Sequence, residues 1–131
     1  MATIFTKIIK GEIPCYKIAE DENYFAFLDI GPLAKGHTLV VPKKEVDYFF
    51  NLDDETMKGI SVFAKRVALA IGKTIDCKRV GVAVLGLEVP HAHIHLVPIQ
   101  SEADISFSKP KLKLTVDEME DIARRIRENL K

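Results

Sequence analysis

One ten-residue stretch, Val89–Pro98, constrains the fold more than any other part of the chain. It reads VPHAHIHLVP, so three histidines alternate with the apolar residues Ala92, Ile94 and Leu96. Successive side chains of a β-strand point to opposite faces, and residues two apart share a face. A helix would scatter the three imidazoles around its surface. We therefore predict a strand whose apolar face covers a core while its histidines line the other face.

The rest of the chain shows the patterns of four more strands and three helical segments. Strands are predicted in CYKIAE, YFAFLDI, GHTLVVP and RVGVAVLG, with the first two forming a hairpin. TIFTKII suits a short helical turn, and an apolar stripe predicts a long helix with Asp53 as N-cap and Gly72 as its end. The last helix carries Thr115 and Glu118 at capping-box spacing. These elements predict an α+β fold with a five-stranded antiparallel sheet, one long internal helix and a C-terminal helix.

Composition narrows the class of protein. With 131 residues, 47% hydrophobic and 29% charged, the sequence suits one domain spanning 1–131. Basic and acidic residues number 19 each, so no net field favours nucleic acid or a membrane surface. Cys15 and Cys77 form neither a disulfide framework nor a zinc cluster, and we expect a cytoplasmic protein. We find no signal peptide and no segment apolar enough to span a bilayer.

Three aligned imidazoles admit four interpretations. They could be structural, although clustered imidazoles repel once protonated. They could bind zinc with help from His37, although no carboxylate lies within 89–98 to orient the rings. They could perform covalent catalysis, in which one neutral imidazole attacks a phosphorus atom while its neighbours donate hydrogen bonds. They could also form the anion site of a nucleotide-binding interaction module without turnover.

The segments around these histidines resemble the histidine triad (HIT) family of nucleotide hydrolases and transferases. HAHIHLV matches the His-φ-His-φ-His-φ-φ signature of that family, where φ is apolar. The likeness continues in IFTKIIKGEIP and FAFLDIGPLAKGHTLVVPKK, where Asp29 precedes His37 by eight residues. It covers about residues 4–98, leaving the loop and helix at 100–131 outside. It is strongest to the histidine-triad nucleotide-binding branch, the purine nucleoside phosphoramidate hydrolases, and it implies a HIT-like fold.

The resemblance implies a catalytic role for each of the four histidines. His93 would attack the α-phosphorus and carry the nucleotide covalently, while the backbone carbonyl of His91 holds its other nitrogen. His95 would donate to the phosphate oxygens or the bridging atom. His37, packed beside His91, would support the network. Water would then release a nucleoside monophosphate, and no cofactor is expected.

The resemblance also assigns residues to the nucleoside. Asp29 would take both ribose hydroxyls, a role that suits a group which only accepts hydrogen bonds. Four apolar residues would sandwich the purine base, namely Phe5, Ile8, Phe27 and Ile30. Each assignment has a structural alternative, because these apolar residues are ordinary core residues by type and Asp29 could cap a turn.

Two departures from the family pattern concern metal and substrate. Many bacterial relatives bind structural zinc through a cysteine pair in the opening segment; here Thr3 and Thr6 stand there, and we predict no metal site. The compressed VLGLEVPHAH lacks the usual Asn and places Glu88 three residues before His91. Glu88 could be surface charge alone or could hydrogen-bond a cationic leaving group. Our hypothesis places it at the nucleotide site, where it would disfavour dinucleoside polyphosphates relative to phosphoramidates.

The sequence therefore predicts a hydrolase that cleaves the α-phosphate bond of nucleoside phosphoramidates or adenylates through a covalent His93 intermediate. The alternatives are a dinucleoside polyphosphate hydrolase and a nucleotide-binding interaction module with little turnover. Expected partners are a purine nucleotide and a second copy of the chain in an edge-to-edge homodimer, without nucleic acid or membrane. The lysines of FSKPKLKL (Lys109, Lys111 and Lys113) could reach a phosphate or a partner subunit, but a solvated basic loop is the favoured prediction.

Overall fold

Five strands pair into a single antiparallel sheet in the computed structural model, which describes residues 2–130. The strands are β1 (Lys17–Glu20), β2 (Tyr24–Leu28), β3 (Thr38–Pro42), β4 (Arg79–Ala83) and β5 (Ile94–Ile99). Their spatial order is β1-β2-β3-β5-β4, and every neighbouring pair is antiparallel. The predicted fold class and the predicted β1–β2 hairpin are both confirmed.

Three α-helices accompany the sheet: α1 (Ile4–Ile9), α2 (Asp54–Thr74) and α3 (Val116–Glu128). Short 3-10 turns follow β3 at Phe49–Asn51 and follow β5 at Glu102–Ile105. Asp53 caps α2 by accepting the Thr56 backbone N–H, as predicted. The predicted capping box of α3 is also present. Among the helices of residues 2–130, none is both long and apolar enough to cross a bilayer.

The prediction that α2 ends at Gly72 is wrong, because the helix continues to Thr74. Gly72 does not adopt the left-handed conformation of a helix-ending glycine. Residues in α3 and at its C-terminal end satisfy the end of α2 instead. The Arg125 guanidinium donates to the Thr74 carbonyl at 3.2 Å, and the Asn129 amide donates to the Thr74 hydroxyl at 2.9 Å. A tertiary contact therefore sets this boundary.

Two hydrophobic clusters lie on opposite faces of the sheet, and β2 shows why. All five of its residues are buried, and alternate side chains enter different clusters. Tyr24, Ala26 and Leu28 join α2 and α3 in the larger cluster. Phe25 and Phe27 join α1 in the smaller one. The smaller cluster is the one that borders the imidazoles.

The predicted strand over Val89–Pro98 is only partly correct, since β5 begins at Ile94. His91 and His93 precede it, because the Ala92 backbone N–H donates to the Val46 carbonyl rather than to a neighbouring strand. The alternation of side chains nevertheless continues through the segment. The three intervening apolar residues are buried, and the rings of His93 and His95 are in contact, with centroids 4.9 Å apart.

Candidate active site

Asp29 and His37 are brought side by side by the pairing of β2 with β3. Leu28 lies opposite Thr38, and one step further the Asp29 N–H donates to the His37 carbonyl at 2.9 Å. The turn that leads into His37 requires a glycine at the preceding position. Gly36 has φ +92°, and a Cβ there would lie 2.9 Å from a side-chain atom of Ile75.

His37 lies against His95, and the expectation that it packs beside His91 is wrong. The register explains the difference, because β5 places His95 opposite Leu39, two residues along the same face from His37. The two rings meet with His37 Nε2 at 3.0 Å from His95 Nδ1. His91 contacts Thr3 and Pro42 instead.

The hydrogen bonds of His37 assign the tautomers of this pair. The Leu33 backbone N–H donates to His37 Nδ1 at 3.0 Å, so the ring proton of His37 is on Nε2. Nε2–H then donates to Nδ1 of His95, which leaves the His95 proton on Nε2. Burial lowers the pKa of His37 to about 4 and that of His95 to about 3. Both rings are neutral at pH 7, and His95 presents an N–H donor.

The other two imidazoles are assigned in the same way. His91 Nε2 lies 2.8 Å from the Pro42 carbonyl, which only accepts, so this nitrogen carries the proton. Burial lowers the pKa of His91 and favours its neutral form. The hydrogen bond expected between His93 and the His91 carbonyl is present, with Nδ1 as donor at 2.8 Å. Nε2 of a neutral His93 therefore carries a free lone pair.

The four rings differ in how far they reach the surface. His91 and His37 are 0% and 1% exposed, whereas His93 and His95 keep 6% and 8%. Phe5 packs edge-on against His91 and His93, with centroids 5.8 and 5.0 Å away. The two inner imidazoles are thus enclosed, and the two outer ones present a bare nitrogen and an N–H donor beside each other.

One carboxylate oxygen of Asp29 accepts a hydrogen bond within residues 2–130, and the other does not. Oδ1 accepts the Gly31 backbone N–H at 2.8 Å, which is the turn-capping role considered as its structural alternative. Oδ2 lies 3.6 Å from Nε2 of His37, beyond hydrogen-bond range. The carboxyl is half-buried, and burial raises its pKa. One oxygen thus remains available to a ligand next to the histidines.

The structure brings together three of the four apolar residues expected around the base. Phe5, Ile8 and Phe27 share the smaller buried cluster, and the rings of Phe5 and Phe27 are 5.5 Å apart. Ile30 is 80% exposed and lies outside this cluster, because it follows Asp29 in the turn after β2. It lines an open groove with Cys15 and the start of α3.

Glu88 lies in the exposed connection between β4 and β5. Its side chain forms no hydrogen bond or ion pair with any residue of the 2–130 range, and the preceding Leu87 is 91% exposed. Val89 alone in this short stretch packs against the smaller cluster. The structure therefore places Glu88 near the histidines in sequence without joining it to them.

Comparison with known proteins identifies the family. The HIT domain matches residues 10–102, well over half of the chain. The chain belongs to the HIT family. Among relatives, the adenosine 5'-monophosphoramidase hnt1 of Schizosaccharomyces pombe is 34% identical over 133 residues, covering 100% of both chains.

Solved HIT structures share the fold over nearly the whole chain. A Hit-like protein of Bartonella henselae, involved in cell-cycle regulation, has a TM-score of 0.86 at 30% identity, covering 98% of this chain and 96% of that one. A zinc-bound histidine triad family protein of Mycobacterium smegmatis has a TM-score of 0.83 at 30% identity, covering 98% and 93%.

In this HIT protein, the segment after β5 supplies a site residue that the sequence did not reveal. The ring of Phe107 packs on His95 at 4.6 Å and near His37 at 6.3 Å. Lys111 donates to the Phe107 carbonyl at 3.2 Å, and the Leu112 N–H ties the segment to the loop after β2. The prediction of a solvated loop is wrong for Phe107. An aromatic residue among lysines, serines and prolines was the available signal.

The lysines of this segment are exposed, as predicted, but the charge of one of them affects the pKa values of two imidazoles. Lys109 pairs with Asp104, away from the imidazoles. The positive charge of Lys111 helps to lower the pKa of His37 and of His95, after burial as the larger cause. Lys111 therefore favours the neutral form of both rings.

One group of side chains in the described range could hold a metal ion. Asp29, His37 and His95 each offer a ligand atom, and these atoms lie within 4.8 Å of one another. Two of the three are already joined by the hydrogen bond between the imidazoles, so a metal would have to displace that proton. Thr3 and Thr6, which stand where some relatives have cysteines, hold hydroxyl groups near Nδ1 of His91.

Proposed function

We propose that this HIT protein hydrolyses nucleoside phosphoramidates or adenylates and releases a nucleoside monophosphate. The observation that carries the proposal is the hydrogen bond from His93 Nδ1–H to the His91 carbonyl. It leaves Nε2 as the nucleophilic nitrogen of a neutral imidazole. The adenosine 5'-monophosphoramidase activity named for the Schizosaccharomyces pombe relative supports the same reaction class.

In the proposed reaction, His93 Nε2 attacks the α-phosphorus and displaces the amine of a phosphoramidate or the carboxylate of an acyl adenylate, with cleavage of the P–N or P–O bond. The new N–P bond carries the nucleotide on His93 until water breaks it. The hydroxyl of that water forms the new bond to phosphorus, and the other proton of the water is taken up by the displaced leaving group. His95 Nε2–H, fixed by its partnership with His37, donates to the phosphate oxygens as charge develops on them.

Recognition of the nucleoside is proposed for the residues around Asp29. Its uncommitted oxygen Oδ2 is an acceptor for the ribose hydroxyls. The cluster that contains Phe5, Ile8 and Phe27 offers apolar surface to a purine base. Ile30 would cover the base from its exposed position on the turn.

We further propose that residues 1–131 form one domain that pairs as a homodimer in the cytoplasm. Within residues 2–130, β4 is an edge strand whose one neighbour in the sheet is β5. Val82 on β4 and Val62 and Leu69 on α2 are each more than half exposed and would offer apolar surface to a second copy of the chain. The free thiols of Cys15 and Cys77 suit a reducing compartment.

The experiment that tests the function is turnover of adenosine 5'-monophosphoramidate, measured as released AMP. We expect AMP from the wild-type protein and a loss of about 10³-fold or more in His93→Ala. A dinucleoside polyphosphate assayed in parallel decides between the two hydrolase alternatives. Nucleotide binding without AMP release from either substrate would refute the enzyme and support the interaction module.

A further inference from the structure

We propose that Glu45 is a positioning residue for the nucleophile. Acting through Thr3 and Thr6, it fixes the ring of His91, whose backbone carbonyl in turn holds His93. The inference rests on the proposed function, since it assigns a role within that reaction. Its residues come from three parts of the chain that the histidine motif does not link: the first turn, the loop after β3 and the triad segment.

Glu45 accepts two hydrogen bonds from residues at the start of α1. Its Oε1 atom accepts the Thr3 backbone N–H at 2.9 Å and the Thr6 hydroxyl at 2.6 Å. A carboxylate only accepts, so the hydroxyl proton of Thr6 must point toward Glu45. The Thr6 hydroxyl therefore has no proton left for His91.

The proton of the Thr3 hydroxyl is fixed as a consequence. Thr3 Oγ1 accepts the Thr6 backbone N–H at 3.1 Å as the N-cap of α1. Its own proton has a near acceptor, Nδ1 of His91, at 2.8 Å, against 3.3 Å to the Thr6 hydroxyl. His91 therefore accepts at Nδ1 and donates from Nε2 to the Pro42 carbonyl. Each side-chain donor in this series of hydrogen bonds has one acceptor.

The same contacts bind α1 to the triad segment. Phe5, two residues after Thr3, packs on the rings of both His91 and His93. Glu45 itself is exposed and belongs to neither hydrophobic cluster, so its contribution is the direction of these hydrogen bonds. Because His93 takes its orientation from the carbonyl of His91, a loosened His91 would misplace the attacking nitrogen.

A measurement that does not depend on turnover is the ¹⁵N NMR spectrum of the imidazole nitrogens. In the wild-type protein we expect His91 to show a protonated Nε2 and a hydrogen-bonded, unprotonated Nδ1. In Thr3→Val, which keeps the shape and removes the donor, the His91 Nδ1 signal should lose the shift of a hydrogen-bond acceptor. In Thr3→Ser, which keeps a hydroxyl donor, the His91 Nδ1 signal should again show the shift of a hydrogen-bond acceptor. Identical spectra for the wild type and a folded Thr3→Val would overturn the proposal.

Kinetics then separate positioning from binding. Glu45→Ala should lower kcat for adenosine 5'-monophosphoramidate by about ten- to a hundredfold while KM changes little. Asp47→Ala is the matched control, since Asp47 is an exposed carboxylate of the same loop with no hydrogen bond in the described range. Equal kcat values in Glu45→Ala and Asp47→Ala would refute the role of Glu45. If Thr3→Val does not fold, this kinetic comparison alone tests the proposal.

The two proposals fail in different ways. If the wild-type protein releases no AMP, the proposed function is wrong, while the NMR comparison of Thr3→Val with Thr3→Ser still decides whether the network sets the His91 tautomer. If the wild type is active and Thr3→Val keeps both kcat and the His91 spectrum, only the positioning role is wrong.

Discussion

Four imidazoles share one side of the sheet, and their hydrogen-bond partners give them different chemical properties. The Pro42 carbonyl and the Thr3 hydroxyl use both nitrogens of His91. Leu33 and His95 use both nitrogens of His37. His93 and His95 each have one nitrogen engaged within the protein. Two rings therefore have both nitrogens hydrogen-bonded within the protein, and two keep one nitrogen each for a ligand.

The depressed pKa of His37 predicts a pH-dependent loss of stability. The folded pKa of about 4 lies below the unfolded value of 6.5, so the unfolded state binds more protons between these pH values. Stability should be fully present above pH 6.5 and decrease as the pH falls toward 4. The part due to His37 amounts to about 3 kcal/mol across that window.

Urea unfolding at pH 7 and pH 4.5 checks this prediction. His37→Asn is the informative variant, because it cannot titrate and its side-chain oxygen can still accept from Leu33. It should lose about 2 to 3 kcal/mol less than the wild type between the two pH values. Equal losses in the two proteins would show that His37 is not held neutral by the fold.

Glu88 carries a prediction about substrate choice. Its exposed carboxylate should repel the polyphosphate chain of a dinucleoside polyphosphate more than the neutral amine of a phosphoramidate. Glu88→Gln should therefore raise the ratio of polyphosphate to phosphoramidate turnover by about two- to fivefold at low salt, with a smaller effect at high salt. A ratio that does not change at either ionic strength would assign Glu88 to the solvent surface alone.

At the scale of elements, the segment after β5 places the ring of Phe107 on His95, as one wall of the candidate site. Phe107→Ala should expose His95, and weaker desolvation should raise the His95 pKa from about 3 toward its ordinary value. An NMR titration of His95 measures this shift, and kcat should fall because the ring becomes mobile.

A matched control is available for this substitution. Phe50→Ala removes an exposed aromatic ring that packs on Tyr48 and Phe49 rather than on an imidazole. It should leave the titration of His95 unchanged. If Phe107→Ala and Phe50→Ala give the same His95 pKa, Phe107 does not form a wall of the site.

The sequence predicted the elements better than their ends. Periodicity identified α2 and its N-cap, because both are local properties of a helix. The end of α2 depends on contacts from Arg125 and Asn129, about fifty residues away, which no local pattern contains. The start of β5 was likewise set by the hydrogen bond from the Ala92 N–H to the Val46 carbonyl, so the strand begins at Ile94 rather than further upstream, where alternation predicts it.

At the scale of the whole molecule, the exposed edge of β4 predicts a dimer. Sedimentation should give twice the chain mass of 14.7 kDa at micromolar concentration. Val82→Glu places a charge on the exposed edge strand and should shift the equilibrium to monomer. Lys58→Glu, an exposed charge change on α2 at a polar position, is the control. A wild-type protein that sediments as a monomer would contradict the proposed dimer.

The site as a whole was predictable to the extent that it follows from alternation along the chain and from the family resemblance. The histidine motif placed three imidazoles on one face, and the resemblance implied the bond between His93 and the His91 carbonyl. The partnership of His37 with His95 follows from the β3–β5 register, which sequence alone does not supply. The contact of Phe107 with His95 depends on how a loop folds back after β5.

The most direct test of this account is to trap the nucleotide on the protein. Wild-type protein mixed with adenosine 5'-monophosphoramidate, quenched in denaturant during turnover and digested for mass spectrometry, should carry an adenylyl group on His93. His93→Ala should carry none. Active wild-type protein without the adduct at the earliest quench times, or with the nucleotide on another residue, would contradict nucleophilic attack by His93.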